Sequence, residues 1–568
     1  MTERTLPEQL FRLTVETPER ECLRLVGRVS EDLALSRGEF FRAAQQAGQL
    51  LTEAGASQED LVILIQRDLL LLTASFFGAT LIGAIPSIMP FQTEKLHPDR
   101  YRNALSALIQ SARPSILITE PDLAKQVLAL LPEGGVGPPP KVLVVRPAEL
   151  LNTQQPLRLD GTFDAGATAL LQHSSGTTGL QKGVALSHRA IFEHNDRYAR
   201  AIGFSQDDVV VSWLPLYHDM GLIASFLLPI LYGARLVLMG PLEWVRAPHM
   251  LMQAITRQRG TFCWLPNFAY NFCAQKMRNE DLEGVDLSSI RAFINCSEPI
   301  YDSSHRQFAE RFAPYGAGID KLATSYAMAE TVFAVTQSQP GLPARVDRVD
   351  RQTLHEEGWA QPASDDCLAR HAVSSGAPIE GMEVRILDER RHPLPERRVG
   401  EIALRTSHML TGYYCRPEET QRAFYEGWYL TGDMGYLAEG ELFVLGRKKD
   451  LIIVGGRNIY PGDLETLVNS VEGVHAGRAV AFGIPNPERG TEDIAIVAEA
   501  EPNIIEDGRR EELVAEIRRA VAGGADVMVR YIELVPRGWL IKTSSGKVSR
   551  PANREKFLEA HPEIALPA

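Results

Sequence analysis

The chain has 568 residues, of which 45% are hydrophobic and 23% are charged, a composition typical of folded globular proteins rather than disordered ones. Its 59 Lys and Arg residues are outnumbered by 72 Asp and Glu residues, and the resulting net charge of −13 argues against a nucleic-acid partner. At roughly 100–200 residues per domain, this length predicts several domains, or fewer large ones.

The N-terminal stretch MTERTLPEQLFRL carries charges where a signal peptide needs an apolar run. Residues 69–93 contain no charged side chain and are long enough to span a bilayer. They also contain Gly78, Gly83, Pro86 and Pro90, and they directly follow the strand-like LVILI at 61–65. We therefore predict a buried helix followed by a buried strand, and no transmembrane segment.

Short β-rich runs alternate with helical stretches through the first half of the chain. The runs are LVILI (61–65), SILIT (115–119), KVLVV (141–145) and RLVLM (235–239). This alternation predicts α/β layers with mainly parallel sheets. The GGVGPPP stretch (134–140) is predicted to be a surface loop by its composition.

The pattern changes beyond about residue 447. Predicted strands and helices follow in the order 452–454, a helix near 463–470, 478–482, 494–500, a helix at 511–521, and 529–535. In the second helix Leu513, Ile517 and Val521 share one face. We therefore predict two domains, a large N-terminal domain (1–447) and a compact α+β C-terminal domain (448–568) of the usual domain size.

The six cysteines form no Cys-x-x-Cys pair and have no histidine cluster nearby. A zinc site is therefore not expected, and scattered single thiols are typical of a reducing compartment such as the cytoplasm.

The strongest local motif is LLQHSSGTTGLQKGVALSH (170–188). Small residues let backbone N–H groups converge on an anion, and hydroxyls and a lysine add further donors. The candidate donors are Ser174, Ser175, Thr177, Thr178 and Lys182. The motif is not a Walker loop, because Gly rather than Ser or Thr follows the lysine. A flexible Ser/Gly turn is the alternative interpretation.

This loop and four further motifs occur in the order that is typical of the adenylate-forming family. The chain resembles that family over about residues 30–555. The further motifs are SYAMAET (325–331), YLTGDMGY (429–436), GRKKDLIIVGGRNIYPGDLE (446–465) and KTSSGK (542–547). The family includes acyl-CoA synthetases, luciferases, adenylation domains of peptide synthetases and fatty acyl-AMP ligases. The resemblance implies an α/β fold with a large N-terminal domain of layered sheets and helices and a small mobile α+β C-terminal domain.

The resemblance also implies that ATP activates a carboxylate to an acyl-adenylate, with Mg²⁺ as cofactor and pyrophosphate as by-product. Glu330 resembles the Mg²⁺ ligand, and carboxylate oxygen suits that hard cation. Tyr326 resembles the residue that stacks on adenine, and Asp433 and Arg447 resemble the ribose contacts. The expected ATP/AMP-binding residues are Ser174, Ser175, Gly176, Thr177, Thr178, Lys182, Ser297, Glu298, Pro299, Ser325, Tyr326, Ala327, Met328, Thr331, Asp433 and Arg447.

Two lysines near the C-terminus resemble moving parts of the family. Lys547 resembles the lysine that reaches the active site during adenylation, where a cation balances charge that builds up in the transition state. Lys449 resembles the hinge residue of the C-terminal domain. An exposed loop or linker lysine is the alternative for each. Many family members have Thr just before the metal ligand, where this chain has Ala329, and Thr331 is the candidate to replace that phosphate contact.

The match is closest to the fatty acyl-AMP ligase branch, at LPLYHDMGL (214–222) and LPNFAYNFC (265–273). His218 is implied beside the reacting carboxylate, and Asn267, Phe268 and Tyr270 are implied to line or support the acyl pocket. The largely apolar surroundings suit an aliphatic or polycyclic acid.

The long connection between Glu330 and Gly376 lies where that branch carries an insertion that is thought to favour an acyl carrier protein over CoA as acceptor. The phosphate loop is closer to the ordinary synthetase form, so an acyl-CoA ligase stays an alternative. A non-catalytic acyl or nucleotide binder is a second alternative, although the chain retains Lys182, Glu330, Asp433 and Lys547.

Overall fold

A computed structural model describes residues 3–27, 31–92, 98–131, 139–151, 156–173, 182–365, 369–455, 457–487, 489–501, 509–525, 527–543, 547–562 and 564. The chain divides into two compact units. The first comprises residues 1–345, 375–383 and 405–427, and the second comprises 346–374, 384–404 and 428–568. The expected division at residues 447 and 448 lies within the second unit and stays a prediction.

The first unit contains a seven-stranded sheet. Its strands, in spatial order, are Gly412–Tyr413, Gly183–Ser187, Thr168–His173, Ile85–Ile88, Leu61–Ile65, Ile116–Thr119 and Lys141–Val144. The five strands from Thr168–His173 to Lys141–Val144 run parallel, and the other two pair antiparallel at one side. The predicted parallel strands at 61–65, 115–119 and 141–145 are confirmed to within a residue at each end.

A nine-stranded sheet is the second layer of this unit. Its strands, in spatial order, are Ala377–Pro378, Ala334–Gln337, Leu322–Ala327, Ala292–Asn295, Phe262–Leu265, Val209–Ser212, Arg235–Met239, Glu21–Val26 and Leu33–Ser36. The six strands from Leu322–Ala327 to Glu21–Val26 are parallel. The predicted strand at 235–239 is confirmed, and so is the α/β class.

Helices accompany these strands in the α/β alternation that the sequence predicts. They are Leu6–Glu16, Arg37–Glu53, Leu69–Leu81, Pro98–Ala112, Pro121–Ala129, Pro147–Leu150, His188–Ile202, Leu228–Tyr232, Pro241–Arg246, His249–Gln258, Asn267–Lys276, Asp302–Phe312 and Pro417–Ala423, with π-helical turns at Met220–Leu227. Local signals fix their ends: Ser36 and Glu39 form a capping box at the start of Arg37–Glu53.

The uncharged segment that begins at Leu69 forms a buried helix, Leu69–Leu81, followed by the buried strand Ile85–Ile88, as predicted. Asp68 caps this helix by accepting a hydrogen bond from the backbone N–H of Leu71. Gly78 lets it approach helix Arg37–Glu53, because a Cβ at position 78 would lie 2.7 Å from the Cβ of Ala47. Across the described part of the chain, no helix combines the length and the apolarity that crossing a bilayer requires.

The second unit contains an antiparallel β region and an α+β region. The β region includes strands Val346–Asp350 and Ala369–Val373 with the helix Arg351–Glu357 between them, and strands Gly400–Arg405, Trp428–Ala438 and Glu441–Arg447. A buried cluster joins the two sets through Val349, Leu354, Tyr436 and Phe443.

The α+β region contains the elements expected for residues 448–568 in the expected order, together with two that were not predicted, the strand Arg457–Ile459 and the helix Arg550–Ala560. It contains the strands Ile452–Val454, Arg457–Ile459, Val474–Asn486, Thr491–Ala500 and Val529–Val535, the helices Pro461–Asn469, Arg510–Ala525 and Arg550–Ala560, and the short turn Lys448–Asp450. Leu513, Ile517 and Val521 are buried on one face of their helix, which confirms the predicted amphipathic pattern.

A buried histidine pair links helix His188–Ile202 of the first unit to the segment around residue 408. His194 Nε2 accepts from the N–H of Ala334 at 2.9 Å, and the two imidazole centroids of His194 and His408 lie 5.4 Å apart. Arg197 Nη1 lies 2.7 Å from His408 Nδ1, which must accept because a guanidinium only donates. Burial, followed by the charges of His194 and Arg197, lowers the pKa of His408 to about 2.

We expect this pair to make the first unit less stable in acid. The pKa of His408 in the folded state lies below its unfolded value of about 6.5, so the unfolded state binds more protons, and stability present above pH 6.5 is lost as the pH falls. By pH 5 the loss from His408 is about 2 kcal/mol. Urea titrations at pH 7 and pH 5 measure the free energy of unfolding at each pH. The decrease in this free energy from pH 7 to pH 5 should be smaller for His408→Asn than for the wild type. The same change at the exposed His392 is the control; an equal effect of both variants contradicts this prediction.

Candidate active site

Four predicted site segments leave the same edge of the nine-stranded sheet. Strands Val209–Ser212, Phe262–Leu265, Ala292–Asn295 and Leu322–Ala327 run parallel and are successive neighbours in this sheet. The chain continues from their carboxyl ends into residues 213–222, 266–273, 296–299 and 328–331. In open α/β sheets this edge is where ligands bind, so the strand order alone collects these segments into one candidate site.

Tyr413 connects the predicted phosphate lysine with the predicted metal ligand. Its hydroxyl donates to Glu330 Oε1 at 2.9 Å, and Lys182 Nζ lies 4.7 Å from the centroid of its ring. A cation over an aromatic face is an attractive contact. The two charged groups thus share one neighbour although they are distant in sequence. Ser174, Ser175, Gly176, Thr177 and Thr178 lie outside the described residues.

Lys182 also forms an ion pair with Glu419, with 2.9 Å between Nζ and Oε2. Burial raises the pKa of Glu419, but hydrogen bonds and charge from Lys182 and Arg416 outweigh burial, so the pKa is lowered. The carboxylate therefore stays ionised and holds the ammonium group of Lys182 beside Tyr413.

The SYAMAET segment ends its strand in a strained turn. Ser325 is buried and donates to the carbonyl of Thr336 at 2.8 Å, while Tyr326, Ala327 and Met328 are partly exposed. The next turn, Ala329–Thr331, ends at Val332, whose φ of 71° is unusual for a β-branched residue. Strain of this kind clusters at functional sites.

Thr331 is completely buried beside this turn. Its hydroxyl lies 3.2 Å from the carbonyl oxygen of Met328 and 3.1 Å from that of Phe333, and it donates toward them. The phosphate contact expected of Thr331 stays a prediction, and it requires the hydroxyl to change partners.

The NCSEP segment (295–299) contains the residues predicted to line the adenine, and it contacts the predicted acyl segments. Ser297 has a φ of 72°, and its hydroxyl donates to Met220 Sδ at 3.9 Å. Glu298 Oε2 accepts from the N–H of Phe268 at 3.0 Å, and Pro299 is exposed. These contacts bring Ser297 and Glu298 to the segments that follow strands Val209–Ser212 and Phe262–Leu265.

Asn267 is a buried support beneath this strip. Its Oδ1 accepts from Asn295 Nδ2 at 3.1 Å, and its own Nδ2 donates to Ser304 at 3.1 Å. Tyr270 is fully buried and packs against Phe308, with ring centroids 5.0 Å apart. The lining or supporting role expected of both residues in the acyl pocket stays a prediction.

His218 lies just before the π-helical turns Met220–Leu227, and its carbonyl oxygen accepts a hydrogen bond from the N–H of Leu222 at 2.7 Å. Only glycine fits at position 221, because a Cβ there would lie 2.2 Å from the carbonyl oxygen of Pro215. π-Helical turns are frequent at functional sites. The close approach sets the direction in which the HDMGL segment leaves strand Val209–Ser212.

Four aromatic rings gather beside these segments, and we call them the aromatic quartet: Trp213, Trp244, Phe268 and Phe272. The two indoles stack with ring centroids 3.6 Å apart and planes within 4°, while the two phenyl rings lie at steep angles to them. Phe268 thus joins the predicted acyl segment to a larger aromatic surface.

The second unit carries the remaining predicted residues. Asp433 faces Arg447 across antiparallel strands, and Arg447 Nε lies 3.5 Å from Asp433 Oδ1. Lys449 is exposed in the turn Lys448–Asp450. Lys547 is partly exposed, and its carbonyl accepts from the N–H of Thr543 at 2.8 Å.

Sequence reasoning missed Tyr413, Glu419, Trp213 and Trp244. Each contacts a residue distant in sequence, and the single sequence carries no local signal for these contacts.

The chain matches the family described as AMP-binding enzyme over residues 11–414. It is 35% identical over 413 residues to the medium-chain-fatty-acid–[acyl-carrier-protein] ligase JamA of Moorena producens, covering 70% of this chain and 69% of that protein. It is 31% identical to the long-chain-fatty-acid–AMP ligase FadD26 of Mycobacterium marinum, with 91% and 90% of the two chains covered. A 4-hydroxyphenylalkanoate adenylyltransferase of Mycobacterium tuberculosis is 28% identical, with 98% and 92% covered.

Solved structures agree over the whole fold. One from a study of fatty acyl-adenylate ligases of E. coli and L. pneumophila has a TM-score of 0.88 and 26% identity, with 99% of this chain and 98% of that chain covered. A fatty acyl-adenylate ligase from L. pneumophila, in complex with acyl adenylate and pyrophosphate, has a TM-score of 0.72 and 26% identity, with 98% and 96% covered.

Proposed function

The chain belongs to the AMP-binding enzyme family and is an adenylate-forming ligase, and from this premise we propose that it activates an apolar carboxylic acid for an acyl carrier protein. The acid's carboxylate attacks the α-phosphate of ATP, pyrophosphate leaves, and an acyl-adenylate forms. The thiol of the carrier protein then attacks the acyl carbon, and AMP leaves. The observation that carries this proposal is the joint contact of Tyr413 with Lys182 and Glu330.

Lys182 and Glu330 suit the two tasks that phosphate chemistry needs. Lys182 offers a point charge to phosphate oxygens, and its ion pair with Glu419 holds it ready until they arrive. Glu330 is a partly exposed carboxylate whose Oε1 takes one hydrogen bond from Tyr413. One or two carboxylates plus substrate phosphates are the usual ligands of Mg²⁺, so Glu330 fits that ion. When bound there, Mg²⁺ neutralises phosphate charge.

The nucleoside contacts are assigned residue by residue. Tyr326 presents a partly exposed ring for adenine, and Ser297 and Glu298 belong to the strip proposed for the other side of the base. In the second unit, Asp433 accepts hydrogen bonds from the ribose hydroxyls, and Arg447 holds Asp433 from the neighbouring strand.

We propose that Tyr413 positions Glu330 for Mg²⁺. Tyr413→Phe removes the hydroxyl and keeps the ring under Lys182, so the Mg²⁺ concentration for half-maximal pyrophosphate release should rise roughly tenfold, as is typical when a ligand loses its supporting hydrogen bond. The neighbouring Tyr414→Phe is the matched control, since its backbone bond to Gly183 survives the change. A Mg²⁺ requirement that is the same in both variants rules out this role.

The relatives and the site together support the proposed acid and acceptor. JamA takes a medium-chain fatty acid and an acyl-carrier protein, and FadD26 takes a long-chain fatty acid. The aromatic quartet and the buried apolar turns Met220–Leu227 give this chain apolar surroundings that suit such an acid. The carrier-protein thiol is therefore proposed over CoA.

A purified-enzyme assay tests the proposal. Pyrophosphate release is measured with ATP, Mg²⁺ and a panel of fatty and aryl-alkanoic acids, and CoA and a phosphopantetheinylated carrier protein are then offered in parallel at equal thiol concentration. Acid-dependent pyrophosphate release, with faster transfer to the carrier protein, is the expected result. Comparable transfer to both thiols would instead favour an acyl-CoA ligase, and absence of acid-dependent release would identify a non-catalytic binder.

A further inference from the structure

The stacked indoles of Trp213 and Trp244 leave two buried hydrogen-bond donors without a partner among the described residues. Trp213 is 4% exposed and Trp244 is 0% exposed, so bulk water does not reach them. A buried donor without an acceptor destabilises the folded state, and native proteins keep few such groups. Two at one place therefore call for an explanation.

The neighbouring rings do not supply the missing acceptors. Each N–H lies in the plane of its own indole, and the two planes are within 4° of parallel, so neither donor points at the other ring. The phenyl ring of Phe268, inclined by 70° and 66° to the two indoles, offers only a weak π acceptor.

A third indole in the same unit shows the ordinary solution. Trp264 is also completely buried, and its Nε1–H donates to the hydroxyl of Tyr198 at 2.9 Å. Tyr198 in turn donates to Gln337 Oε1 at 3.1 Å. This third buried indole is therefore satisfied by a side-chain acceptor, in contrast to Trp213 and Trp244.

The unpartnered donors lie beside the segments assigned to the acid. Trp213 begins the segment that contains His218, and its ring centroid is 6.2 Å from that of Phe268. The backbone N–H of Phe268 donates to Glu298 in the strip proposed for adenine. Phe268 and Phe272 are partly exposed, so the quartet has an accessible side and a buried side.

We propose that the acyl chain of the substrate carries a hydrogen-bond acceptor, a hydroxyl, ether or carbonyl oxygen, that the indole N–H of Trp213 or Trp244 binds. This inference rests on the proposed function and narrows its substrate class from apolar acids to oxygen-bearing ones. The partly exposed rings of Phe268 and Phe272 contact the flat or aliphatic part of the chain, and the indole donors select the oxygen. A plain hydrocarbon chain of the same length leaves both donors unsatisfied.

Matched acids give the first test. Pyrophosphate release is compared for octanoate against a series of oxo-octanoates that move the ketone along the chain, and for 3-phenylpropanoate against 3-(4-hydroxyphenyl)propanoate. At least one oxygenated acid should exceed its plain partner about tenfold or more in kcat/KM, the ratio expected when one buried donor gains an acceptor. If kcat/KM for each plain acid equals that for every one of its oxygenated partners, the inference is overturned while the proposed function stands. Failure of all the acids to release pyrophosphate overturns both.

Substitutions give the second test. Trp213→Phe and Trp244→Phe keep an aromatic ring and remove the N–H, so one of them should bring the ratio between the paired acids close to one. Phe272→Leu alters the same quartet without removing a donor, and it should lower kcat/KM for both acids alike. A preference that survives both tryptophan changes contradicts the assignment.

A spectroscopic readout on the wild-type enzyme is independent of these variants. The indole N–H signals of ¹⁵N-labelled protein are recorded with non-hydrolysable acyl-sulfamoyl adenosines that carry the preferred oxygenated chain or its plain partner. One indole signal should move downfield with the oxygenated ligand only. Equal shifts with both ligands, which indicate an indole satisfied by trapped water, would falsify the inference.

Discussion

An enzyme carrying Lys547→Ala is expected to lose acyl-adenylate formation by roughly 10²–10³-fold, the usual cost of removing one electrostatic donor to a transition state. Negative charge accumulates where the acid's carboxylate attacks the α-phosphate, and the proposed task of Lys547 is to balance it. Pyrophosphate release at saturating ATP and acid measures this step. Transfer of the acyl group from preformed acyl-adenylate to the carrier thiol should stay within a few-fold of wild type, because that step needs no attack on phosphorus.

The backbone around Lys547 supports a clean test. Its carbonyl accepts from the N–H of Thr543, and Lys542 pairs with Val548 in a β-bridge, so main-chain groups close the base of this loop. Truncating the side chain leaves those bonds in place. Lys542→Ala, at the start of the same loop, is the matched control. If both half-reactions fall together in Lys547→Ala, the residue has a structural role and the assignment is wrong.

Local signals in the sequence predict several individual elements. Leu513, Ile517 and Val521, at a spacing of one turn, predict the helix at 511–521, and their burial in the observed helix Arg510–Ala525 confirms it. The uncharged run after Leu69 was expected to be a helix and strand because its glycines and prolines interrupt it, and this is confirmed. In both cases a short-range pattern determines the structure.

The contacts that arrange the candidate site are different, because tertiary packing creates them. Tyr413 lies far along the chain from Lys182 and Glu330, and only the pairing of strand Gly412–Tyr413 with strand Gly183–Ser187 brings it to them. The stacking of Trp213 on Trp244 likewise depends on a short helix that follows a neighbouring strand. No local sequence motif predicts such tertiary contacts.

The second large effect that we expect concerns the choice between CoA and the carrier-protein thiol, and it depends on the long connection after Glu330. Its strands Val346–Asp350 and Ala369–Val373 hold the helix Arg351–Glu357 between them, and this inserted segment contacts the α+β region of the same unit. Arg370 Nη2 lies 2.9 Å from Asp463 Oδ1, and its guanidinium stands over the ring of Tyr460.

Further contacts reinforce this attachment. Glu356 lies 3.6 Å from Arg457, and Arg351 donates to the carbonyl of Gly524. Every one of these partners lies beyond Lys449, the expected hinge. Rotation of the α+β region about Lys449 would therefore have to break them, and Arg370 and Asp463 are both largely buried.

Deleting the whole inserted segment is a poor test, because Val349 and Leu354 are buried against Tyr436 and Phe443. The hydroxyl of Tyr436 also donates to Asp347 at 2.9 Å. Removing these residues would expose the core of the β region, and loss of activity would then report unfolding. Substitution of the ion pair alone leaves that core in place.

We expect Arg370→Gln and Asp463→Asn each to raise acyl transfer to CoA by about 5–150-fold, the range for a coupling of 1–3 kcal/mol between two conformations. Transfer to the carrier protein should change less, because its surface adds binding energy that free CoA lacks. Pyrophosphate release should stay near wild type, since neither residue is assigned to adenylation. Glu383→Gln, which breaks an exposed ion pair with Arg405, is the control. If CoA transfer rises no more in Arg370→Gln and Asp463→Asn than in this control, the contacts of the inserted segment do not limit transfer to CoA. The preference for a carrier protein must then arise at the thiol's own binding surface.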